Sequence, residues 1–158
     1  MVAAEQLPTM DLKPPSGFKF DKTKDGYTLI EDTPLEGSPR FSLSGFLEED
    51  ESRVLGETML ERGKNTAEQL GKLAGQHHLE TMLEHQDEIP VEWREFYLVG
   101  AGTVWRDGDG YRWVAYLGWN GDEWVLYFDS LRGSDWRSCD RLVRVSQVSQ
   151  EELGFSES

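Results

Sequence analysis

The sequence predicts an α+β protein: two helices packed on one face of a four- to five-stranded antiparallel β-meander, with an N-terminal β-hairpin alongside. Three observations carry this expectation. Apolar residues recur at helical spacing from about Glu48 to Ile89, the apolar period switches to two after Pro90, and Asn120-Gly121 divides two alternating runs as a tight hairpin turn would.

One domain spanning residues 1–158 is expected at this length. Residues 1–17 are polar and contain proline, and read as a mobile tail. FKFDKTKDGYTLIED, from Phe18 to Asp32, reads as two short strands around Asp25-Gly26. TPLEGSPRFSLSG reads as a loop whose Phe41 and Leu43, with Phe46 just beyond, can fold back onto the core, so that hairpin and loop fill residues 18–47.

The helical segment covers residues 48–89. Acids from Glu48 to Glu51 suit the positive end of a first helix beginning near Ser52, with Val54, Leu55, Met59 and Leu60 buried and a stop at Gly63-Lys64-Asn65. Thr66 and Gln69 have capping-box spacing at the start of a second helix, which carries Leu70, Leu73, Ala74, Leu79, Met82 and Leu83 and ends at Pro90.

The meander occupies residues 90–148, before an acidic tail at 149–158. Its strands run Phe96 to Arg106, Tyr111 to Trp119, Glu123 to Asp129 and, after a Gly/Ser/Asp-rich loop, Arg141 to Gln147. A two-residue turn at Asn120-Gly121 sets Leu117 opposite Trp124, Ala115 opposite Leu126 and Trp113 opposite Phe128. Across the Gly108-Asp109 turn, Val104 then lies beside Trp113, Gly102 beside Ala115 and Gly100 beside Leu117. That face is the core face. The other holds Ala101, Thr103 and Trp105, then Arg112, Val114 and Tyr116, then Val125, Tyr127 and Asp129; it is either covered by the N-terminal hairpin or the sheet's own curvature, as in a small sandwich or barrel, or free as a contact surface.

Charge excludes some functions. The net charge is -14, yet its distribution is uneven: 20 acids face 10 bases up to Val104, and 7 face 6 from Trp105 to Arg144. No basic stripe is available for phosphate, so direct nucleic-acid binding is not expected. Cys139 is the only cysteine, which removes internal disulfides and thiolate zinc sites. No signal peptide and no apolar run of membrane length is read, so the expectation is a cytoplasmic protein without a membrane partner.

Catalytic and metal motifs are thin. The three histidines, His77, His78 and His85, are spaced one, seven and eight apart, unlike ligands on one helical face. Asp107-Gly-Asp109-Gly lacks the later ligands of a calcium loop and reads as a turn. Neither a nucleophile elbow, a phosphate loop nor a Cys-His arrangement is found. No catalytic residue, metal or cofactor is therefore expected. The region from Trp105 to Asp140 has no lysine and is dominated by Tyr, Trp, Arg, Ser, Gly, Asn and Asp, a composition that suits recognition.

GETMLERGKN, GQHHLETMLEHQDEIPVEWREFYLV, GTVWRD, the framework of Trp119, Trp124, Leu126 and Phe128, and DRLVR from Asp140 to Arg144 resemble a group of small uncharacterised bacterial proteins prominent in reduced-genome candidate phyla, over roughly Gly45 to Arg144. That group resembles in turn the variable proteins of diversity-generating retroelements, in which adenine-directed mutagenesis scatters Tyr, Asp, Ser, Gly, Cys, Val and Asn over a ligand-binding surface. The resemblance implies that Asn120, Gly121, Asp122, Val125, Tyr127, Asp129, Ser130, Gly133, Ser134, Asp135, Ser138, Cys139 and Asp140 are diversified positions. Trp105 to Arg144 is short for a C-type-lectin scaffold and lacks a Trp-Gly-Gly signature, so a dedicated small α+β scaffold is implied.

The expected function is non-catalytic recognition of a protein or other macromolecule. Arg112, Tyr116, Tyr127, Asp129, Arg132, Trp136 and Arg137 are the candidate contacts, rings serving as anchors and arginines as forked donors. The alternative is an acidic inhibitor or nucleic-acid mimic that occupies a basic site on another protein, and a weaker one is a small hydrolase. Oligomeric state and ligand identity are not expressed in the sequence.

Overall fold

The strand Tyr97–Arg106 is buried on both faces from Leu98 to Trp105. A strand that is apolar at both parities needs cover on both sides, and this one receives it. The computed structural model describes residues 18–34, 37 and 39–147. The expected tails at 1–17 and 149–158 lie outside the described residues.

The strands are β1 (Thr28–Glu31), β2 (Pro39–Ser44), β3 (Arg53–Val54), β4 (Lys72–Leu73), β5 (Tyr97–Arg106), β6 (Arg112–Trp119), β7 (Trp124–Ser130), β8 (Trp136–Arg137) and β9 (Asp140–Gln147). The helices are α1 (Gly56–Asn65), α2 (Ala67–Leu70) and α3 (Gln76–Glu84). Seven strands form one mixed sheet in the order β2-β9-β5-β6-β7, with β1 joined to β5 and β4 to β9; β3 and β8 make a separate two-stranded ribbon. The protein is α+β, but the antiparallel meander with both helices on one face is overturned. β5 and β9 run parallel, Tyr97 opposite Asp140 and Val99 opposite Leu142.

The helices separate to opposite faces. On one, α3 buries Leu79 and Met82 against Leu98, Ala115, Leu117, Leu126, Val143 and Val145. On the other, Met59 and Leu60 of α1 join Val99, Ala101, Val104, Val114 and Leu142, with Val54 and Trp136 of the ribbon completing the cover.

Further corrections follow from local chemistry. Residues 18–20 do not pair with β1 as a hairpin; a 3-10 turn at Lys22–Asp25 precedes it, and β1 pairs with β5 instead. The segment read as a loop contains β2, an antiparallel partner of β9. Arg53 and Val54 are a strand, so α1 begins at Gly56. The second helix is broken: Gly71 adopts φ 105, a left-handed conformation suited to glycine, and Lys72–Leu73 pair with β9 before α3 begins. Thr66 does not cap α2; its hydroxyl donates to the carbonyls of Arg62 and Gly63.

β5 and β9 diverge after their short parallel contact, and residues 72–74 fill the fork. Ala74 donates its N–H to Val143 O at 2.8 Å and accepts from Gly102 N at 2.8 Å, tying the two strands together. No helix among the described residues is long and apolar enough to cross a membrane.

Candidate binding face

The β6-β7 hairpin keeps the expected faces but not the expected pairs. Asn120 Oδ1 accepts from the N–H groups of Asp122 and Glu123, both at 2.9 Å, and Asn120 N donates to Glu123 O, closing a four-residue loop. Trp119 therefore stands opposite Trp124, Leu117 opposite Leu126 and Ala115 opposite Phe128, so Leu117 and Trp124 are not partners. A shift of two residues leaves every side chain on its original face.

β5 departs further. Its register against β6 slips between Gly100 and Trp105, with Gly100 opposite Ala115 and Trp105 opposite Trp113. This irregularity turns Thr103 and Trp105 toward α3. Thr103 Oγ1 accepts from Gln76 N at 2.8 Å and donates to Asp32 at 2.6 Å, while Trp105 Nε1 donates to Gln76 Oε1 at 2.8 Å. Both residues thus leave the face to which alternation assigned them.

What remains of that face can be read strand by strand. Asp140, Tyr97, Gly118 and Val125 lie side by side across β9, β5, β6 and β7, and the next row holds Leu142, Val99, Tyr116 and Tyr127. Asp129 follows opposite Val114. Leu142, Val99 and Val114 lie beneath α1 and the ribbon, whereas Tyr97 is 45% and Tyr127 40% exposed. The face is covered at one end and open at the other.

Three tyrosines dominate the open end. Tyr116 and Tyr127 stack with centroids 5.3 Å apart, and Tyr97 meets Tyr116 edge-on at 5.6 Å. Gly118 is the floor: a Cβ there would lie 3.1 Å from the Tyr127 ring and 3.2 Å from the Tyr97 ring. Burial, with Asp129, the neighbouring tyrosines and Asp140, raises the Tyr116 phenol. Burial also raises the Asp140 carboxyl, reinforced by Asp129 and opposed by the Arg137 N–H and charge.

Of the seven expected contacts, Tyr116, Tyr127 and Asp129 come together here. Arg137 borders the group, its N–H donating to Asp140 at 2.9 Å. Arg112 lies elsewhere, bonded to both carboxylate oxygens of Glu57 and 3.7 Å from Glu31. Arg132 covers the ring of Tyr111 at 4.2 Å. Trp136 is corrected outright: it is 4% exposed and packs in the core under α1, so its ring is no contact residue. Tyr97 and Asp140, absent from the seven expected contacts, share this open end. The alternation of β5 continued back through Val99 points to Tyr97; the resemblance includes Asp140 in the variable set, and the parallel pairing places it here.

A second polar cluster lies beneath α3. Asp32 accepts from Thr103 and sits 3.3 Å from His77 Nε2; burial raises its carboxyl, but the His77 and Thr103 contacts outweigh it and leave it below the ordinary value. Glu80 accepts from the N–H groups of Lys19 and Phe20 and from Gln76 Nε2. Thr103 is 1% exposed and its Oγ1 is held between Asp32 and the Gln76 N–H, so the hydroxyl links elements and is not presented to a substrate. The cluster ties β1 and residues 19–20 to α3 and β5. A cleft of about 420 Å³ opens beside it at the strand fork, where Lys64 is already paired with Glu31 at 2.8 Å.

No family model matches the chain, and neither a curated protein nor a solved structure matches it.

Proposed function

We propose that this is a non-catalytic binding protein that recognises a macromolecular partner through the open sheet face at Tyr97, Tyr116 and Tyr127. One observation carries the reading: half of a sheet face is buried by the chain itself, and the other half presents stacked tyrosines to solvent on regular strands. Rings held on strands offer large contact area with few torsions to freeze, which favours association. A finer form of the proposal is that the face is diversified by a retroelement. In its support, Val125, Tyr127, Asp129 and Asp140, all within the expected variable set, share this one face.

The test is affinity capture with the full chain and with Tyr127→Ala, followed by purification of whatever is retained and measurement of its affinity for both. A partner lost with Tyr127→Ala at unchanged melting temperature supports the reading. A partner held equally by both forms, and released steeply between low and moderate salt, points instead to the acidic-mimic alternative. For the finer proposal, a near-copy of the codons for residues 105–144 beside a reverse-transcriptase gene is the expected genomic observation.

A further inference from the structure

Several half-buried or exposed rings among the described residues carry a cation. Lys22 lies 4.3 Å over Tyr27 and 4.8 Å over Phe128, Arg94 lies 3.8 Å over Trp119, Arg132 lies 4.2 Å over Tyr111, and Arg141 lies 4.4 Å over Phe96. Each of those rings has a cation supplied from within. The Tyr97–Tyr116–Tyr127 group has none over it among the described residues, although Tyr116 stacks on Tyr127 and meets Tyr97 edge-on.

The same group carries an excess of negative charge. Asp129 lies on its face two residues beyond Tyr127, and Asp140 is opposite Tyr97 across the parallel pairing. Asp140 is half-buried, and of the groups acting on it Arg137 alone is positive, with Arg137 itself exposed to solvent. Electron-rich ring faces beside two carboxylates attract a flat, weakly hydrated cation, and a guanidinium can stack on one while donating forked N–H bonds to the other. The chain's net charge of -14 steers such a partner inward from a distance.

We infer that the tyrosine face takes the guanidinium group of an arginine carried on an extended segment of a partner protein, stacked on Tyr127 or Tyr97 and bonded to Asp129 or Asp140. This deepens, and rests on, the binding reading given above. The Tyr97–Gly118 row supplies the flat floor, since the absence of a side chain at Gly118 leaves the two rings room to lie on either side.

The experiment uses the full chain and three capped pentapeptides, Gly-Ser-Xaa-Ser-Gly, with arginine, its neutral isostere citrulline, or leucine at the centre, followed by NMR of the tyrosine rings. The arginine peptide is expected to shift the Tyr97 and Tyr127 signals saturably and about tenfold more tightly than the citrulline peptide, as one desolvated cation–ring contact would give. Asp140→Asn and Asp129→Asn are each expected to weaken it severalfold, Tyr127→Ala together with Tyr97→Ala to abolish it, and Tyr127→Phe, which keeps the ring, to retain it. Equal binding of arginine and citrulline peptides, or preference for leucine, overturns the cation inference while leaving a binding face in place. Absence of any ring perturbation by all three overturns the inference too, and the binding reading then stands or falls separately by the partner-capture comparison.

Discussion

Arg144 Nη1 donates to the carbonyl oxygen of Gly63 at 2.7 Å, where α1 nears its end. The same guanidinium reaches Gly71 O at 2.9 Å, Thr66 Oγ1 at 2.7 Å and Ser44 Oγ at 2.8 Å, and the residue is 1% exposed. One side chain of β9 thereby fixes the end of α1, the break after α2 and the edge strand β2. All four of these acceptors are neutral, and burial lowers the guanidinium from its ordinary value. Arg144→Met is expected to cost about 2–4 kcal/mol by leaving buried acceptors unpaired. Urea denaturation measures this directly, and a cost below ~1 kcal/mol would contradict the clamp.

Gly56 opens α1, and in a helix interior alanine is favoured over glycine by about 1 kcal/mol. Here the sign reverses. A Cβ at Gly56 would lie 2.5 Å from Leu131 Cα and 2.7 Å from both Leu131 O and Trp136 Nε1. Gly56→Ala is expected to lower stability by about 2 kcal/mol or more, because backbone must move. A raised melting temperature would show that the loop at 131–133 yields freely.

Trp136 and Tyr127 separate packing from the proposed recognition. Trp136→Ala empties a core position and is expected to cost about 3–5 kcal/mol. Tyr127→Ala removes a ring 40% exposed and is expected to cost about 1 kcal/mol or less while abolishing partner binding. Thermal melts of the two variants run side by side decide it; comparable losses would place Tyr127 in the structural core.

His78 supplies a pH dependence. Burial, with His77 beside it, pushes its pKa down to about 4, and its Nδ1 accepts the N–H of Gly75 at 3.0 Å. The folded protein thus keeps this imidazole neutral, while the unfolded chain takes up a proton near 6.5. Between those values the unfolded state binds more protons, so stability falls as pH drops from about 6.5 to about 4 and this contribution is flat below. The accumulated loss is about 3 kcal/mol. His78→Gln should show a shallower fall than the parent between pH 7 and 4.5; identical slopes would refute the assignment.

Sequence period revealed the β5-β6-β7 strands and the inward-facing set Ala115, Leu117, Trp124 and Leu126, because alternation survives a register shift of two. It did not reveal the pairs, since the Asn120 side chain makes a longer loop than its Asn-Gly dipeptide implies. The cover on both faces was also legible in principle: Leu98, Val99, Ala101 and Val104 are apolar at both parities. The two-residue strands at Arg53, Lys72 and Trp136 carry no period at all, and the parallel join of Tyr97 to Asp140 links residues far apart in the chain. At the candidate face, local pattern found Tyr116 and Tyr127, whereas Asp140, included only in the set implied by the resemblance, is placed beside Tyr97 by that distant pairing.

β9 lies between β2 on one side and β5 with β4 on the other. During vectorial synthesis every one of those neighbours leaves the ribosome first. Until residues 140–147 emerge, β2 lacks its partner among the described strands and Tyr97 has no Asp140 beside it, so the nascent chain holds open hydrogen-bonding edges between which β9 must insert. The open tyrosine end of the sheet therefore forms only after residues 140–147 have joined their neighbours.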